Sequence, residues 1–120
     1  MININEGLIT AISALLTGFF LFASSIKIFG WQKKIFETQL AFFIKYGFNR
    51  TIMLLVGLVE LFGAVALWLP GILGLLGPMA LFGTSVGAIY CHLRFDTWKD
   101  GIPAMITLTL SAIVISHNIS

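Results

Sequence analysis

"GLVELFGAVALWLPGILGLLGPMALFG", residues 57–83, decides the fold. Apolar residues run on both sides of Pro70-Gly71, and a proline followed by a glycine both ends a helix and permits the chain to reverse. The stretch therefore predicts two membrane-crossing helices joined in a tight antiparallel hairpin. One residue is out of keeping with it, the carboxylate of Glu60.

Outward from the hairpin the rest of the chain has the same character. Of its 120 residues 58% are hydrophobic and 10% charged, with a mean hydropathy of +1.01, whereas soluble domains are about 25% charged. A soluble domain of this size leaves too much of its chain in water to hide so much apolar surface. Lipid is therefore the expected solvent.

A bilayer core of about 30 Å needs about 20 apolar residues of helix. Four runs answer to this, at about 7–29, 51–69, 72–92 and 103–117. They predict an all-α fold, a four-transmembrane-helix bundle forming a single integral membrane domain over 1–120. Pro78 falls inside the third run, where it either kinks the helix or marks its true first turn. The N-terminal stretch lacks a basic region and its apolar run is long for a signal peptide, so the first helix is read as retained.

The charges orient the bundle. Lys27, Lys33, Lys34, Lys45 and Arg50 lie between spans one and two, and Arg94 and Lys99 between spans three and four; the termini and the hairpin turn carry no Lys or Arg. The positive-inside rule then places both charged loops in the cytoplasm and both termini outside, in a cytoplasmic (inner) membrane. Anionic lipid headgroups are the expected partners of these cations. No basic cluster interleaved with aromatics points to nucleic acid.

Residues 31–50, "WQKKIFETQLAFFIKYGFNR", are too polar to span and too aromatic for a plain linker. Ile35, Phe36, Leu40, Phe43 and Ile44 recur at roughly helical spacing, with Lys34, Glu37, Gln39 and Lys45 elsewhere, which predicts a short interfacial helix. Small residues mark where helices can approach closely: Gly57 and Gly63 bracket Glu60, Gly83 and Gly87 form a pair in span three, and Ala14 with Gly18 a similar one in span one.

Glu60 lies nine residues beyond Thr51, about 13 Å up a helix and near the midplane. An ionised acid there costs several kcal/mol, so it must be neutral, paired or facing a wet cavity. Lys27, His92 and Asp96 are the groups that can converge with it, all from the cytoplasmic end. Lys27 either snorkels to headgroups or turns its long stem inward. In the inward arrangement Lys27 serves as counter-ion, Glu60 as proton acceptor or hydrogen-bond donor, and His92 as a relay towards the cytoplasm. The single cysteine, Cys91, excludes an internal disulfide and a dithiol centre. No metal-ligand spacing, phosphate-binding glycine loop or nucleophilic triad is present. His92 and His117 are predicted at opposite faces of the membrane, so they do not pair as haem ligands.

Three short elements in order, "SSIKIFG" at 24–30, "GLVELFGAVAL" at 57–67 and "GAIYCHL" at 87–93, resemble the DoxX-like family of small four-helix membrane proteins. Lys27, then Gly57, Glu60 and Gly63, then Ala88 and His92 occupy the positions of the family's signatures. Ser24 and Ser25 stand where a glycine is often seen. The family is named for subunits of a thiosulfate:quinone oxidoreductase, and other members are tied to redox stress. The resemblance thus implies a quinone-linked or redox-accessory subunit, with quinone as a possible ligand and a membrane or peripheral redox protein as partner. No bound redox centre is encoded. A proton-coupled small-solute transporter and a non-catalytic assembly factor of a membrane complex stay open as alternatives, and so does whether the chain is itself catalytic.

Overall fold

A computed structural model describes residues 6–95 and 97–118. Among these the chain is helical and forms no strand: α1 (Glu6–Phe29), α2 (Lys33–Lys45), α3 (Arg50–Ala66), α4 (Leu73–Phe95) and α5 (Ile102–Asn118), the last entered through a 3-10 turn at Trp98–Gly101. Three helical units, α1, α4 and Trp98–Asn118, are long and apolar enough to cross a membrane; α3 joins them only together with α2, from which it is bent by 113°.

Helix α3 stops at Ala66, short of the expected residue 69. Pro70 disfavours helical backbone in the residue before it. The last turn tightens accordingly, the Trp68 amide donating to the Val65 carbonyl at 3.2 Å and that of Leu69 to Ala66 at 2.9 Å. Gly71, at φ +72°, takes the left-handed conformation that reverses the chain at little cost only for glycine. Gly47, at φ +88°, does the same at the corner between α2 and α3.

Pro78 lies within α4 and is buried there. Having no N–H, it leaves the carbonyl of Gly74 without its helical donor. The Asn118 side chain supplies one, its Nδ2 lying 2.6 Å from that oxygen. The far end of α5 is thereby tied to the start of α4. Since Gly101, just before α5, lies against His92 near the other end of α4, the two helices are antiparallel.

The bundle closes in the order α1, α3, α4, α5, with α5 back against α1. Its packed core joins Ile12, Leu16 and Phe20 of α1 to Ala64, Leu67, Leu81 and Val114. Near the hairpin α3 and α4 nearly touch: a Cβ on Gly63 would stand 2.7 Å from Leu81 Cδ2, and one on Gly77 would run into the Leu67 amide. Between α4 and α5 a small polar seam replaces apolar packing. The hydroxyls of Ser85 and Thr107 are 2.7 Å apart, and Ser111 donates to the Thr107 carbonyl.

Away from the hairpin the same two helices part. Gly83 and Gly87, expected at a helix contact, are exposed, and a Cβ on either would meet nothing within 4 Å. Ala14 and Gly18 likewise face outward. Small residues permit close approach but do not compel it, and here α4 diverges from α3 before reaching Gly83.

Candidate functional site

The site is assembled on the contact between α1 and α3. Gly57 lies under α1 so closely that a Cβ on it would stand 2.9 Å from Lys27 Cβ and 3.1 Å from Ile28 Cγ1. The Lys27 stem therefore rests on the backbone of α3 and extends along it for about one turn. Its Nζ ends 3.0 Å from Glu60 Oε1, with the two side chains only 10% and 8% exposed. Lys27 thus turns inward and does not snorkel. Glu60 is paired, as a buried carboxylate must be.

The backbone at Lys27 is fixed from below. Arg50, the first residue of α3, donates from its guanidinium to the carbonyls of Lys27 at 2.5 Å and Ile28 at 2.8 Å. These are among the last carbonyls of α1, which lack partners within the helix and favour a cation. The same guanidinium lies over the Phe36 ring at 4.9 Å, so one side chain holds the end of α1, the start of α3 and α2 together.

Beyond the ion pair, a half-open cavity of about 790 Å³ lies between α3 and α4. Val56, Val59 and Glu60 line it from α3; Ala80, Gly83, Thr84, Gly87, Ala88, Cys91 and His92 line it from α4; Lys27 reaches it from α1. Helix α2 roofs it with Gln39, Phe42, Phe43 and Tyr46. The splay at Gly83 and Gly87 is what leaves this space, because no side chain on that stretch of α4 fills it.

His92 stands at the rim. Its Nδ1 is 2.9 Å from the Tyr46 hydroxyl, and its ring meets Phe42 edge to face at 5.5 Å. His92, Lys27 and Glu60 thus share one cavity, with His92 held by Phe42 and Tyr46. Asp96 lies outside the described residues. His117 sits in the last turn of α5, at the opposite end of the bundle from His92. Among the described residues no three His, Cys, Asp or Glu side chains gather as metal ligands do.

Three residues of this site escaped the sequence reading. Gln39 was expected on the watered face of α2, yet it faces the cavity, because 39, 42, 43 and 46 form a helical stripe of their own. Ile44, expected on the buried face, is 60% exposed. Tyr46 follows α2 as its C-cap and carried no signal beyond that stripe. Arg50 counted only as a cytoplasmic charge; its capping role depends on where α1 ends in space.

A model of the DoxX-like family matches residues 11–114, and the chain belongs to that family. No curated protein and no solved structure gives a significant match.

Proposed function

We propose that this DoxX-like membrane protein is a quinone-binding, redox-accessory subunit, holding a quinone head group in the cavity beside Lys27 and Glu60. The observation that carries the reading is the cavity itself: about 790 Å³, walled mostly by aliphatic and aromatic side chains, with one buried ion pair and a few other polar groups, Gln39, Thr84, His92 and Arg94, on its wall. Ligand sites of this kind are mostly apolar, with few well-placed polar groups. In this reading all four helical units cross the cytoplasmic membrane, α2 lies in the interface, and the basic loops face the cytoplasm.

A bound quinone would supply two-electron, two-proton redox chemistry that no side chain here possesses. The chain's part is to receive the head group. Lys27, three donors on a buried ammonium, can donate to a carbonyl oxygen while keeping Glu60 paired. Glu60, its charge offset by Lys27 Nζ at 3.0 Å, can accept a hydrogen bond from the head group through its remaining lone pairs. Phe42 and Phe43 give flat apolar surface to a ring. Tyr46 and His92 hold the rim in register.

The test is extraction. Protein purified in mild detergent from membranes containing quinone should retain about one quinone per chain, measured by mass spectrometry of the organic extract, and Lys27→Met should lose it. Wild-type protein that retains none, and binds none when it is added, overturns the proposal.

A further inference from the structure

Two of the polar groups lining the cavity are acceptors left with capacity to spare. Gln39 Oε1 is enclosed and has no hydrogen-bond partner among the described residues. Glu60 Oε1 has Lys27 Nζ at 3.0 Å, but a carboxylate offers about four lone-pair sites, and no hydrogen bond of good geometry reaches that oxygen among the described residues. Buried acceptors without donors are costly and are rarely kept without a reason.

Gln39 is the odd member of its stripe. Phe42, Phe43 and Tyr46 give α2 an aromatic lower face, and an aliphatic residue at 39 would continue it without an unpaired amide. Gln39 is instead placed on a different helix from Glu60, with both lining one cavity. What completes such a pair of acceptors is a molecule that carries donors of its own.

We infer that Gln39 is a specificity-determining residue that reads the hydroxyl of a reduced, dihydroxy-aromatic head group, so that the cavity prefers a quinol to the corresponding quinone. The inference rests on the quinone-binding reading and deepens it. One hydroxyl of the quinol donates to the Gln39 amide oxygen and the other is available to Glu60. The quinone has only acceptors at those positions, so it leaves the Gln39 oxygen without a donor and Glu60 with Lys27 alone. Lys27 serves either form, so it binds without discriminating.

The experiment is equilibrium binding of a decyl-tailed benzoquinol and the matching benzoquinone to the full chain in nanodiscs, the quinol under anaerobic reducing conditions and the quinone in air. Wild type is expected to bind the quinol about fivefold to tenfold more tightly, the worth of one well-made hydrogen bond. Gln39→Leu should erase that ratio while leaving quinone affinity within about twofold, and should melt no lower than wild type because an unpaired amide is removed. Gln39→Met is the second variant, keeping the length of the side chain should Leu disturb α2. Equal affinity for the two forms in wild type, or a ratio unchanged in both variants, overturns the role of Gln39 while leaving quinone binding intact. Binding of neither form overturns both readings together.

Discussion

Gly57 carries Lys27 on its backbone: a Cβ at residue 57 would stand 2.9 Å from that of Lys27, a separation no real pair of Cβ atoms tolerates. That contact sets the depth at which the lysine enters the bundle. Gly57→Leu should therefore force α1 from α3 and cost about 1–3 kcal/mol, read by denaturant titration in mixed micelles. Gly87→Leu, at a position where a Cβ meets nothing within 4 Å, should leave stability nearly unchanged while filling the cavity. Equal destabilisation by the two changes would show that α4 is packed as closely at Gly87 as α3 is at Gly57.

The buried ion pair should behave as a unit. Removing one partner strands a charge, so Lys27→Met or Glu60→Leu alone is expected to cost about 3–5 kcal/mol, whereas the double change should recover most of that loss. A double-mutant cycle in the same unfolding assay decides it. Additive losses would mean that each residue is held by something other than its partner.

Pro78 and Asn118 form a second cycle. Asn118→Ala leaves the Gly74 carbonyl without a donor and should destabilise by about 1–2 kcal/mol. Pro78→Ala restores a backbone N–H four residues after Gly74, so in that background the loss of Asn118 should be mild. The same cost in both backgrounds would separate the asparagine from the proline.

Arg50→Lys should not be a conservative change. A lysine cannot reach two carbonyls with a planar fork, and the exposed end of α1 would fray around Lys27. We expect a loss of about 1–2 kcal/mol and faster amide exchange at residues 27–30 than in the parent, measured by hydrogen–deuterium exchange.

The position of Glu60 could be read from the sequence because a charge inside an apolar run is expensive, and expense narrows the explanations. The same argument made Lys27 a candidate neighbour but left open whether its stem snorkels or turns inward; the contact with Glu60 decides it. The all-helical architecture and the hairpin at Pro70-Gly71 follow from apolar run lengths and turn chemistry, which are local. The roles of Gln39, Tyr46 and Arg50 depend instead on how α2 is rotated over the cavity and where α1 ends against α3. Those are relations between elements, and no spacing within one segment encodes them. Gly83 and Gly87 show the opposite case, a local pattern read as a contact whose partner helix lies elsewhere.

The cavity is open along its α4 wall. Leu16, Phe20, Leu81 and Val114 close the bundle on the hairpin side, while Gly83 and Gly87 on the cavity wall are exposed. A molecule between α3 and α4 could therefore reach Glu60 along that exposed wall. A hydrophobic molecule dissolved among lipid tails would then need no parting of the packed core at Leu16, Phe20, Leu81 and Val114 to come within reach of Glu60.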